Sequence, residues 1–151
     1  METTGRQPVP VWIWQTTQRM SRAFDERLQS RGGSRPIWHI LLALRSRPQA
    51  TQREIAAEVG IREATLTHHL RAMEDAGLIT RHRAPENRRV QQIAATEKGD
   101  ALFEELRTVA MDFDRQLRTA IGSAEEIAAF RAALERISAV VDDGRPVPLL
   151  D

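Results

Sequence analysis

Between Thr51 and Thr96 two helix starts, a glycine turn and a basic hairpin follow one another, an order that few folds accept. In TQREIAAEVGIREATLTHHLRAMEDAGLITRHRAPENRRVQQIAAT, Thr51 and Glu54 have the T-x-x-E spacing of a capping box. The threonine hydroxyl accepts from the third amide of the helix, and the glutamate accepts from the cap's own N–H. Ile55, Ala56 and Val59 form the inner side of this helix. Gly60 supplies the backbone freedom for a tight turn. The next helix, about Arg62 to Ala76, stops at Gly77, a residue suited to the position just past a helix end. Leu78 to Thr80 and Val90 to Ile93 read as short strands around Ala84-Pro85-Glu86-Asn87, which is turn chemistry. The expected fold is mainly α with a small β-hairpin wing (α+β).

The flanks are helical. Pro8 and Pro10 precede a helix of about Val11 to Gln29, in which Ile13, Thr17, Met20, Phe24 and Leu28 share one face. Arg31-Gly32-Gly33-Ser34 breaks it. A second helix, about Pro36 to Arg45, is apolar nearly all round and is expected to be buried. Thr96 caps a helix of about Glu97 to Ala120. Ser123 and Glu126 form a second capping box, opening a helix of about Ala124 to Val141. Leu102, Leu106, Val109, Phe113 and Leu117, then Ile127, Phe130, Leu134, Ile137 and Val141, keep the 3/4 spacing of a packed helix face. A lone helical hairpin would leave much of that surface wet, so burial against a second copy is expected. The chain therefore divides into N-terminal helices (1–47, dimerisation and junction), a winged helix-turn-helix (48–95), long C-terminal helices (96–143, dimerisation) and a tail (144–151). Ile13, Phe113, Leu117, Ile127, Phe130, Leu134, Ile137 and Val141 are the candidate dimer contacts.

Composition narrows the chemistry. The chain of 151 residues has no cysteine, so thiol–metal sites, disulfides and thiol-based sensing are excluded. No run approaches the roughly 18 apolar residues of a membrane span. METTGRQPVPVWIW has no basic start leading into a long apolar core and does not read as a signal peptide. The expected location is cytoplasmic, on the nucleoid when bound to DNA. Net charge is +1. The first 47 residues are nevertheless net basic, Glu97–Asp143 is net acidic, and Arg81, His82, Arg83, Arg88 and Arg89 face only Glu86 nearby in sequence. A near-neutral chain can still present one positive face to phosphate. There is no glycine-rich phosphate loop, G-x-S-x-G or H-E-x-x-H, so an enzyme is not expected, and no cofactor or metal is.

At 100° per residue, Leu66, Leu70 and Met73 fall within about 60° of one another and must face the core. His68 lies opposite, flanked by Ala64, Thr65, Arg71 and Ala72, with Thr67 on the shoulder. A helix fits the major groove of double-stranded DNA, where donor and acceptor patterns distinguish all base pairs. Arg62, Ala64, Thr65 and His68 are placed toward base edges; Thr67 and Arg71 are expected to meet phosphates. Arg88 and Arg89, near the hairpin tip, would lie along a minor groove or phosphate ridge. The structural alternative is an ion pair with Glu86 that shapes the turn.

Trp38 to Leu44 (WHILLAL), Gln52 to Gly60 (QREIAAEVG), Ala64 to Arg81 (ATLTHHLRAMEDAGLITR) and Pro85 to Gly99 (PENRRVQQIAATEKG) together resemble the MarR family of bacterial transcription regulators. That family carries Asp-x-Arg in its wing and Leu-Thr before the fifth helix. Here Asn87-x-Arg89, or Glu86-x-Arg88 one residue away, and Ala95-Thr96 stand in those places. The resemblance implies a homodimeric repressor of a pseudopalindromic operator, released when a small, often aromatic, effector binds between the dimerisation and DNA-binding parts. Trp14, Met20, Trp38, His39 and Met111 are candidates to line that junction, with ordinary core packing the competing role for Trp38 and Met20. The other reading is a winged-helix module for protein contacts that does not bind specific DNA.

Overall fold

The computed structural model describes residues 7–145, 147 and 150, with the side chain of Arg88 outside the description. Six helices and one hairpin follow in the order α1 (Val9–Gln29), α2 (Arg35–Ser46), α3 (Gln52–Val59), α4 (Glu63–Asp75), β1 (Ile79–Ala84), β2 (Asn87–Ala95), α5 (Glu97–Ile121) and α6 (Ala124–Val141). This is the mainly α fold with a hairpin wing expected from the sequence.

The helix starts follow local chemistry. Thr51 and Glu54 form the full capping box, with the Glu54 N–H donating to Thr51 Oγ1 (3.2 Å) and the Thr51 N–H donating to Glu54 Oε2 (2.8 Å). Ser123 and Glu126 repeat it at α6. Gly60 closes α3 at φ 76°, a backbone region where a side chain would be strained. Gly77, at φ 73°, ends α4 with its N–H on Glu74 O and the Leu78 N–H on Met73 O, the paired bonds that satisfy the last carbonyls of a helix.

Two expectations need correcting. The strands are longer than Leu78–Thr80 and Val90–Ile93: they pair antiparallel from Ile79↔Ala95 to Ala84↔Asn87, with an irregularity between Arg83 and Ala84. Arg81, His82 and Arg83 hide the apolar alternation by which a strand is recognised, while Leu78 is spent on the helix-ending turn. The second concerns α2, which is not buried all round. Ile40, Leu41, Ala43 and Leu44 are buried, but Leu42 is exposed. Ser34 caps this helix by accepting from the Ile37 N–H, a start one residue earlier than expected.

The core joins Ile40, Leu41, Ala43 and Leu44 of α2, Ile55, Ala56 and Val59 of α3, Leu66, Leu70 and Met73 of α4, Ile79 and Ile93 of the hairpin, and Phe103 of α5. It therefore crosses the divisions at 47/48 and 95/96. Trp38 stacks on Phe103 with ring centroids 5.4 Å apart. Farther out, Phe24 of α1 stacks on Phe113 of α5 at 5.3 Å, with the Arg27 guanidinium above the Phe113 ring. Of the α1 stripe only Leu28 is buried, and α6 has no buried residue. No helix among the described residues is long and apolar enough to cross a membrane.

Candidate nucleic-acid interface

The position of α4 is fixed by its neighbours before any ligand arrives. Leu66, Leu70 and Met73 anchor its inner face in the core, as the wheel requires. Gln52, on the first turn of α3, donates from Nε2 to Thr67 Oγ1 (2.6 Å) and to Glu63 O (3.2 Å). The Thr67 hydroxyl in turn donates to Glu63 O (2.8 Å). Its single hydrogen is thus committed inside the motif, and it has none to give a phosphate oxygen. Thr67 is accordingly a fastener between α3 and α4 in this arrangement, where a phosphate contact was expected. Gln52 is the residue that sequence reasoning missed; a polar side chain on the first turn of a helix carries no signal of its cross-helix partner.

The remaining α4 candidates stay at the surface. Arg62 occupies the position before the first helical residue, with no side-chain capping bond, and Ala64, Thr65, His68 and Arg71 are exposed. His69 is turned partly inward, and burial, then the neighbouring His68, pulls its pKa below the ordinary histidine value.

The hairpin is tied to the start of α3. The Ile93 N–H donates to Ala50 O (2.9 Å), and Thr51 bridges to Gln92. At its tip the Asn87 side chain accepts from the Arg89 N–H (3.1 Å). In the Asn87-x-Arg89 register, asparagine can therefore brace the turn through its amide oxygen without an acid. Arg89 is exposed and in no ion pair among the described residues, while the Arg88 side chain lies outside those described. Arg81, counted among the basic cluster, is not available: its side chain on β1 is mostly buried and pairs with Glu74 of α4 at 2.9 Å.

Charge pairing separates two surfaces. Arg107, Arg115 and Arg118 on α5 each contact an acid on the same helix, and Arg45 of α2 reaches Asp100 and Glu104. Arg62, Arg71, Arg83 and Arg89, on α4 and the wing, are exposed and form no ion pair among the described residues. Unpaired, accessible guanidinium groups beside an exposed helix face are chemically suited to phosphate oxygens.

The effector candidates are only partly brought together. Trp38 and Met111 line an open cavity of about 500 Å³ with Ala110, Asp114, Arg115 and Arg118. Trp14, Met20 and His39 are not in its lining; Trp14 is 62% exposed and Met20 is exposed on α1. His39 is half-buried, and burial, then Arg35, lowers its pKa.

Residues 34–90, from the cap of α2 to the first half of β2, match the model of the MarR family. Over this span the chain is similar to the MarR family. Solved structures extend the likeness to the long helices. A MepR–DNA complex from S. aureus has a TM-score of 0.79 at 22% identity, covering 91% of this chain and 100% of that one. A mutant of MarR from E. coli in complex with operator DNA has a TM-score of 0.76 at 21% identity, covering 86% and 93%. The M. tuberculosis regulator MosR in complex with DNA has a TM-score of 0.66 at 19% identity, covering 89% and 98%. At such identities the likeness is one of fold.

Proposed function

We propose that the protein is a DNA-binding transcriptional regulator acting as a homodimeric repressor of a pseudopalindromic operator. The observation that carries the reading is the unpaired, exposed set Arg62, Arg71, Arg83 and Arg89 around the small and polar face of α4. Arg62, Ala64, Thr65 and His68 would meet base edges in the major groove; Arg71 and Arg89, with Arg88, would hold phosphates. The MarR-family match and the DNA complexes of MepR, MarR and MosR support it.

Dimerisation is proposed from surface that the single chain leaves uncovered. Phe130 (48%), Leu134, Ile137 and Val141 (71%) of α6 are exposed, with Ile13, Phe113, Leu117 and Ile127 half-buried beside them or on the facing helices. A dimer formed through this surface would need to hold its two α4 helices about one DNA turn (~34 Å) apart to read successive half-sites. For release we propose a small aromatic effector at the cavity beside Trp38 and Met111, whose aromatic floor and flanking arginines suit a flat ligand. The test is fluorescence anisotropy of the purified chain on DNA from upstream of its own gene. Saturable, sequence-preferring binding is expected, and its reversal by small aromatics would add the effector. Binding that never prefers one sequence over another at low salt would favour a protein-contact module instead.

A further inference from the structure

Four contacts converge where α4 ends and α5 begins. Lys98, the chain's single lysine, donates from Nζ to Ala76 O (2.7 Å), a carbonyl at the end of α4. The Thr96 hydroxyl donates to Gly77 O (2.6 Å) while also accepting from the Gly99 N–H (3.1 Å). The Thr96 N–H donates to Leu78 O (3.0 Å). Gly99 lies so close to the Leu78 carbonyl that any Cβ there would overlap it. The α4 end is the negative pole of its dipole, so the Lys98 ammonium is held by charge as well as by its hydrogen bond. The motifs AGLITR and TEKG, remote in sequence, are two halves of one joint.

We infer that Lys98, with Thr96 and Gly99, is a positioning device that sets the spacing of the two DNA-reading helices through α5. The inference rests on the DNA-binding reading above. α5 runs 25 residues from this joint toward the exposed apolar surface that a second copy would cover. At 1.5 Å per residue it is about 37 Å long, so a tilt of about 5° at its far end displaces α4 by about 3 Å. That is close to the ~3.4 Å between successive base pairs. A tight joint converts the dimer's geometry into one preferred half-site spacing. With Lys98 gone, α4 keeps its core anchors Leu66, Leu70 and Met73 and the Thr96 bonds just past its end, but loses its one charged tie to α5, and its direction relative to the partner's α4 is held less tightly.

The test uses the full chain and duplexes selected from random DNA by the wild-type protein. Affinity is measured on the selected duplex and on versions with one base pair inserted or deleted between half-sites. The wild type should lose about tenfold or more on the altered duplexes, as displaced contacts do. Lys98→Met should discriminate between them by less than about threefold, and Lys98→Arg, which keeps a donor and the charge, should restore most of the ratio. The ratio compares two duplexes with one preparation, so a smaller folded fraction or a uniformly weaker charge interaction leaves it unmoved. A wild-type ratio in Lys98→Met would overturn the inference while leaving the DNA-binding reading intact. Failure of the wild type to select any sequence, or selection of single half-sites, would overturn that reading and this one with it.

Discussion

The winged module and the long helices solve burial in opposite ways. From α2 to β2 the chain closes a core by itself: Ile40, Ile55, Leu66, Leu70 and Ile93 are fully buried. α6, with an equally regular apolar pattern, has no fully buried residue. Hydrophobic periodicity therefore reports which face seeks cover, not whether the cover belongs to the same chain. The charges divide along the same line. Arginines on α5 are paired with acids one turn away, whereas Arg71 on α4 and Arg83 and Arg89 on the wing form no ion pair among the described residues.

The contrast can be broken most strongly in the two apolar sets. Leu70→Ala in the closed core should cost about 2–5 kcal/mol of stability by urea unfolding, through lost burial and the cavity left behind. Phe130→Glu on α6 should instead shift the chain from dimer to monomer in sedimentation, with little change in the helical signal. A core-sized loss of stability together with an unchanged oligomer would mean that α6 is covered from within the chain.

The charge contrast is sharpened by two arginines. Arg89→Ala should lower the slope of log affinity against log salt by about one unit, as loss of one phosphate contact does. Arg118→Ala, whose guanidinium sits on Asp114 at 2.7 Å, should leave that slope unchanged. Equal effects from both would erase the distinction between paired and open cations.

The smallest expected effect concerns pH. His39 and His69 both have pKa values lowered from 6.5, chiefly by burial. The unfolded chain then takes up protons first, so stability is full above the unfolded value and is lost as pH falls from 6.5 through the lowered folded values. Urea midpoints should fall slightly over that range, and His39→Gln together with His69→Gln should flatten the fall. A midpoint that rises on acidification would contradict the burial of these rings.

Much of this was legible in the sequence because it is local. Both capping boxes, the turn at Gly60 and the inward set Leu66, Leu70 and Met73 depend on residues within a few positions of one another. The hairpin's true length was hidden because its outward residues are arginine and histidine. Thr67 looked free because its partner, Gln52, comes from another helix. Phe103, one residue from the Leu102–Leu106 stripe, turned inward to stack on Trp38, a partner that periodicity along α5 cannot reveal. The joint at Lys98 joins residues about twenty positions apart, and only the fold brings them together.

The central claim is that two copies of the open α4-and-wing surface read one DNA site together. Stoichiometric anisotropy titration on a selected duplex, at protein well above the dissociation constant, tests it most directly. Two chains per duplex at a sharp equivalence point is the predicted result; one chain per duplex, or no equivalence point, would contradict it.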